Sequence, residues 1–252
     1  MLQKSLCING YIYLLSSRYT IRMPMLRRAN HDFFKQWSAD MAYVLGYFAA
    51  DGSMIKNNRG AHFIEFNSTD KYLISVVRKL LDSNHKISTR ISHKKEWKNI
   101  YRLQIGSKVL FDDITKFGFH QNKSLTMRFP DIPPSFVGDF IRGYFDGDGG
   151  VYFRKYAPKD RPNPRWVFQA RFTSGSKEFL LQLHIALKER GIVGGYMNKK
   201  KRGYDLVLSH RDSVALSGLM YHNALDHAYL KRKFNVFVRA INTLYGGVAQ
   251  IG

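Results

Sequence analysis

Two aspartates close two nearly identical phrases. Asp51 ends Val44-Leu45-Gly46-Tyr47-Phe48-Ala49-Ala50-Asp51-Gly52, and Asp148 ends Ile141-Arg142-Gly143-Tyr144-Phe145-Asp146-Gly147-Asp148-Gly149. Both phrases are apolar, carry Gly-Tyr-Phe at the centre and finish in Asp-Gly. Their separation is about one small domain, so an internal repeat is the first reading. A carboxylate at a helix C-terminus meets the partial negative charge of the helix end, and two such carboxylates brought together repel. A sequence that places both there is expected to offset the cost with cations. Two carboxylates with divalent metals at a closely packed interface suit phosphodiester hydrolysis. Two buried helices with plain Asp-Gly caps are the structural alternative. One copy would favour that alternative, and two matched copies argue against it.

The elements that must position these residues are helices. Met41, Val44, Leu45 and Phe48 fall at i, i+3, i+4 and i+7, as do Val137, Phe140, Ile141 and Tyr144. Gly52 and Gly149 are expected to take the left-handed position past each helix end. A second stripe is small, with Gly46 and Ala50 in one copy and Gly143 and Gly147 in the other. Small residues four apart let two helix backbones approach closely, which would set Asp51 beside Asp148.

After each motif the same order follows. In the first half, Ser38 is the expected helix cap and Ser53–Lys56 a strand. Asn57-Asn58-Arg59-Gly60 is a turn and Ala61–Ser68 the return strand, with His62, Ile64 and Phe66 on one face. Asp70 opens a helix with Leu73, Ile74, Val77, Leu80 and Leu81 inside. A second hairpin turns near Lys94-Lys95, and a short helix near Lys108–Phe117 ends at Gly118. In the second half, Val151–Lys155 is a strand and residues 156–164, with Lys159 and Arg161, a long tip. Arg165, Val167, Gln169, Arg171 and Thr173 then alternate with Trp166, Phe168, Ala170 and Phe172. Ser176 caps a helix, Tyr196–Leu208 is a hairpin, a helix lies near Asp212–Tyr221, and Leu230–Leu244 closes the chain's helices. Residues 1–30 show no clear period and are set aside as an extension. The units are 31–118, a proline-bearing linker at 119–134, and 135–245.

Forty Lys and Arg against nineteen Asp and Glu leave a net charge of +21, which points to a polyanionic partner, most simply nucleic acid. One cysteine, Cys7, excludes an internal disulfide and argues against a cysteine-based zinc site. No apolar run reaches the length of a membrane span, and no basic amphipathic anchor is evident. A soluble, intracellular protein of a reducing compartment, with no membrane partner, is expected. The histidines show no metal-ligand spacing.

The paired phrases resemble those of the LAGLIDADG homing endonucleases in their single-chain, two-motif form, over roughly residues 32–241. The second copy matches closely. The first departs at Ala49, where many members carry an acid that is not the metal ligand. The resemblance implies an α/β (α+β) fold of two αββαββα repeats about a pseudo-twofold axis, with motif helices at the interface and antiparallel sheets forming a saddle over DNA. It implies that Asp51 and Asp148 hold the metal, Mg²⁺ or another divalent cation. It also implies a site-specific double-strand cut by a monomer at a long asymmetric target. Lys123 and, at the matching place, Lys231 would stand near the active site, with Lys233 as the register alternative to Lys231. Arg90, Arg102, Gln104, Gln169 and Arg171 are the candidate DNA readers, and Lys200 and Arg202 candidate phosphate clamps. Ser68 and Ser174 occupy positions where relatives often have a water-organising residue, yet read more simply as openings of the next helix. Relatives that have lost cleavage act as RNA maturases or DNA-binding regulators, so intron RNA is a second candidate partner. Both acids are intact here, which favours the nuclease. An intein setting fits poorly, because no Cys or Ser follows Met1 and the chain ends Ile251-Gly252.

Overall fold

The structure, a computed structural model, describes residues 5–8, 11–15, 20–24, 27–92, 96–157, 163–222 and 228–246. The turn at Lys94-Lys95 and the hairpin tip around Lys159 and Arg161 lie outside them. Within the N-terminal extension, β1 (Ser5–Ile8), β2 (Tyr11–Leu15) and β3 (Thr20–Pro24) pair antiparallel in a three-stranded sheet.

The first repeat runs α1 (Ala39–Asp51), β4 (Gly52–Lys56), β5 (His62–Ser68), α2 (Lys71–Leu80), β6 (Ile87–Arg90), β7 (Ile100–Gly106) and α3 (Lys108–Lys116). The second runs α4 (Val137–Asp148), β8 (Gly149–Tyr156), β9 (Arg165–Ser174), α5 (Lys177–Lys188), β10 (Tyr196–Lys200), β11 (Gly203–Ser209) and α6 (Arg211–Tyr221), followed by α7 (Lys231–Tyr245). Each repeat builds one four-stranded antiparallel sheet of the same topology, β4-β5-β7-β6 and β8-β9-β11-β10. The α+β reading with two αββαββα repeats holds, with α7 added to the second.

Local chemistry sets the helix starts. The hydroxyls of Ser38, Ser107 and Ser176 accept from the N–H three residues on, and the Asp70 carboxylate accepts from Tyr72 N. The outer helices α2 and α5 bury one stripe against the sheets: Leu73, Ile74 and Val77 in one, Phe179, Leu180, Leu183 and Leu187 in the other. By contrast, α1 buries every residue from Met41 to Ala49. A helix apolar all round belongs at the centre of a fold, and α1 packs there against α4.

The helix ends differ from expectation. Gly52 (φ −90°, ψ 154°) and Gly149 (φ −87°, ψ 160°) are extended, not left-handed. Each motif helix passes straight into the first strand of its sheet, with the glycine N–H still donating to the carbonyl of Phe48 or Phe145. A Cβ at Gly52 would stand 2.2 Å from the Phe48 ring, and at Gly149 2.3 Å from the Phe145 ring. Glycine is required there by crowding, not by a positive φ.

Candidate active site at the crossing of the motif helices

The crossing is glycine on backbone. A Cβ on Gly46 would lie 2.0 Å from the Phe140 carbonyl oxygen and 3.0 Å from Tyr144 N. A Cβ on Gly143 would lie 2.0 Å from the Tyr43 carbonyl oxygen and 2.9 Å from Tyr47 N. These contacts are reciprocal between matched positions of the two copies, as a twofold relation between the helices demands. One turn further on, a Cβ on Gly147 would meet Ala50 Cβ at 2.4 Å and Asp51 Oδ2 at 3.2 Å. The small stripe therefore brings the helix C-termini, and with them Asp51 and Asp148, to one place.

Both carboxylates are partly buried, and neither accepts a hydrogen bond from another described residue. Burial first, and then the Asp148 charge, push Asp51 up to about 7. Burial likewise raises Asp148, against the pull of Lys123 and Lys233.

The lysines are placed by two different elements. Lys123 opens a short 3₁₀ turn (Lys123–Leu125) after α3. It is 6% exposed and donates to Ala49 O at 2.9 Å, with its ammonium 5.5 Å from the Phe48 ring centroid. Its counterpart in the second half is Lys233, not Lys231. Lys233 is also 6% exposed, donates to Asp146 O at 2.9 Å and lies 5.3 Å from the Phe145 ring centroid. It also donates to Phe145 O at 2.6 Å and Gly149 O at 2.7 Å. Lys231, the first residue of α7, is exposed. Two helical steps separate these lysines by about 200°, so only one can face α4. Lys123 meets Ala49 O and Lys233 meets Asp146 O, matched carbonyls in the last turns of the two motif helices, where the helix end leaves carbonyls short of intrahelical donors. Burial lowers both lysines to about 8 while the nearby carboxylates, Asp148 for Lys123 and Asp146 for Lys233, hold them up.

The acid that the first motif lacks has a separate role in the second. Asp146 is 1% exposed, and its Oδ2 accepts from Tyr43 Oη at 2.9 Å across the helix interface and from Leu230 N at 2.8 Å. Arg142, buried on the same helix, donates to Met220 O at 2.8 Å and Ala228 O at 3.0 Å and pairs with Asp139 at 2.8 Å. Together they fasten α4 to Met220 of α6 and to Ala228 and Leu230, just ahead of α7. Ser68 and Ser174 accept from Asp70 N and Ser176 N, opening α2 and α5.

The candidate readers occupy the sheet faces turned away from the helices. Arg90 and Arg102 are exposed and Gln104 partly so on the first sheet, as are Arg171 and Gln169 on the second. Lys200 ends β10 and Arg202 lies in the following turn. Acids absent from the expectation share these faces. Glu65, 7% exposed, accepts from Asn67 Nδ2 at 2.9 Å and Gln104 Nε2 at 3.1 Å, with Arg102 Nη1 at 3.5 Å. Asp205, 2% exposed, accepts from Thr173 Oγ1 at 2.7 Å and pairs with Lys200. Alternation placed Glu65 on the outward face. Its burial comes from cross-strand neighbours that a single strand does not reveal.

The donor set fits a hard divalent cation. Asp51 and Asp148 offer carboxylate oxygens not taken up by protein donors, which leaves room for water and phosphate oxygens of the kind Mg²⁺ retains. Among the described residues no group of three or more His, Cys, Asp or Glu could hold a metal ion, so this pair would rely on water and phosphate for its remaining ligands.

Comparison with known proteins bears on the fold and the family. The chain is 25% identical over 195 residues to the DNA-directed RNA polymerase subunit Rpo1C of Methanocaldococcus jannaschii, covering 77% of this chain and 20% of that protein. It is 30% identical over 180 residues to a probable translation initiation factor IF-2 of the same organism, covering 68% of this chain and 14% of the factor. The chain thus spans a fifth or less of these curated relatives. Among solved structures it is similar to the homing endonuclease I-WcaI bound to its DNA recognition sequence, with TM-score 0.54 and 17% identity over 81% of this chain and 90% of that one. It is similar also to the LAGLIDADG meganuclease I-AabMI bound to uncleaved DNA, with TM-score 0.56 and 11% identity over 83% and 95%. These likenesses carry the fold. The model of the LAGLIDADG-like domain matches twice, over residues 38–116 and 135–216, one match on each repeat, so the chain belongs to the LAGLIDADG family.

Proposed function

We propose that this chain is a site-specific double-strand DNA endonuclease that hydrolyses phosphodiesters with divalent cations, Mg²⁺ foremost. The observation that carries this reading is the pair Asp51 and Asp148. They stand together at the ends of two helices crossing through glycine, with a buried lysine on either side. When bound, a divalent cation would supply Lewis acidity and a water of lowered pKa. Asp51 and Asp148 would hold it. Lys123 and Lys233 would orient water and stabilise charge growing on the phosphate. Arg90, Arg102, Gln104, Gln169 and Arg171 would meet base edges, and Lys200 and Arg202 phosphates. Two unlike halves in one chain favour a monomer on an asymmetric site. The two solved DNA complexes that the fold resembles support duplex DNA as the partner.

The test is incubation of the purified protein and its Asp148→Asn variant with randomised duplex DNA and Mg²⁺, followed by capture of cut ends. One family of cut sequences, lost in the variant, is expected. Binding without cutting by the wild type would refute the enzyme and favour the regulator or RNA maturase reading.

A further inference from the structure

Glu65 is a nearly buried acid on a face that, in a protein of charge +21, would be expected to meet a polyanion. Its position is sharply defined. Glu65 pairs across the sheet with Ser53, two residues past Asp51, and on its other side with Gln104. Its Oε1 takes Asn67 Nδ2–H at 2.9 Å and its Oε2 takes Gln104 Nε2–H at 3.1 Å, with Arg102 Nη1 3.5 Å away. An ionised carboxylate only accepts, so each amide must turn its NH₂ toward Glu65. That fixes two groups whose flip is otherwise free, and it leaves Gln104 Oε1 and Asn67 Oδ1 on the side away from the buried acid. Both amides are partly exposed.

The second sheet lacks this device. Gly52 pairs with Phe66 and Gly149 with Phe172, so Glu65 matches Arg171, Gln104 matches Val207, and Arg102 matches Asp205. The acid and the base have exchanged strands between the halves. No amide is held by a carboxylate at the equivalent place.

Resting on the DNA-cleaving reading above, we propose that Glu65 is a specificity-determining positioning residue. By locking Gln104 and Asn67 with their carbonyl oxygens outward, it makes the first half prefer amino-bearing bases close to the cut. Outward acceptors match adenine N6 and cytosine N4 donors in the major groove and oppose the guanine O6 and thymine O4 acceptors. Adenine or cytosine over guanine or thymine, on the strand facing β5 and β7, is the expected preference.

The test compares cut sites recovered from randomised duplex DNA with Mg²⁺ for the wild type, Glu65→Gln, Gln104→Ala and the double variant. The wild type should show the amino-over-keto preference within a short run beside the cut, in one half-site. In Glu65→Gln, with its amides free to flip, that preference should fall about tenfold or more. The other half-site should stay unchanged. The double variant should resemble Gln104→Ala alone at those positions. A motif unchanged in Glu65→Gln, or a loss spread evenly over both half-sites, overturns the inference while leaving the nuclease intact. Should Glu65→Gln fail to fold, Gln104→Ala must lose the same run, and an unchanged motif there overturns the inference too. A wild type that enriches no sequence overturns the DNA-cleaving reading itself, and this inference with it.

Discussion

Burial disfavours ionisation of both Asp51 and Asp148, and at Asp51 the Asp148 charge adds to it, which has a measurable consequence without DNA. The folded-state pKa of Asp51 is raised from 3.8 to about 7. Between those values the folded protein keeps a proton that the unfolded chain has released, so stability falls as pH rises through the window. Above it the ion-free protein bears the whole penalty. Asp51→Asn should therefore raise the melting temperature of the metal-free protein at pH 8 while lowering cleavage by about a hundredfold or more. Ca²⁺ should raise the wild-type melting temperature more at pH 8 than at pH 6, and the variant's hardly at all. A fluorimetric melt across pH checks both, and a lower melting temperature for Asp51→Asn would refute the idea of stored repulsion. The lysines make a second comparison. Lys233→Met strips donors from three carbonyls within 2.9 Å and should cost about 1–3 kcal/mol along with most of the activity. Lys231→Met should keep activity within about twofold. The aspartates were legible because the sequence states them twice. The choice between Lys231 and Lys233 was not, because it depends on which face of α7 turns toward α4.

Among the elements, the two motif helices carry the design, and much of it was readable. Periodic apolar residues gave the helices, and two stripes of small residues gave the crossing. Strand alternation gave the faces of β9, where Phe168, Ala170 and Phe172 are buried and Arg171 is exposed. The helix ends were misread, because Asp-Gly more often signals a left-handed turn. Here the glycine answers instead to the Phe48 and Phe145 rings folded back over the junction. A matched pair of substitutions separates crowding from backbone freedom. Gly46→Ala places a methyl 2.0 Å from a backbone oxygen that cannot move without the whole of α4. It should cost about 3 kcal/mol or more, or prevent folding. Gly218→Ala, inside α6 with nothing within 4 Å of the added carbon, should instead stabilise by about 0.5–1 kcal/mol. Urea denaturation of both reads the contrast. A mild effect at Gly46 would mean that the helices can separate, and that the two carboxylates are not held by the crossing.

At the scale of the molecule, two halves with one topology are kept from being interchangeable by a few polar residues. The Glu65–Arg102 and Arg171–Asp205 exchange distinguishes the sheets, and the Tyr43–Asp146 contact distinguishes the helices. Tyr43 matches Phe140 and Asp146 matches Ala49. A pair of second halves would face Asp146 with a ring lacking a hydroxyl, and a pair of first halves would leave the Tyr43 hydroxyl facing a methyl. Only the unlike combination satisfies both groups, which no local pattern in either half announces, since the partners lie about a hundred residues apart. Burial raises the Asp146 carboxyl to about 6 and Tyr43 is pushed well up, so the bond joins a protonated phenol to a carboxylate near neutral pH. Tyr43→Phe alone should cost about 1–3 kcal/mol by leaving a buried carboxylate with one fewer donor. Asp146→Ala alone should cost a similar amount, because it strands the Tyr43 hydroxyl and Leu230 N. The double variant should cost less than the sum, with a coupling of about 1–2 kcal/mol in a denaturation cycle. A coupling near zero would mean that the halves are matched by the shape of the glycine crossing alone, and that Asp146 serves only to hold Leu230 and the start of α7.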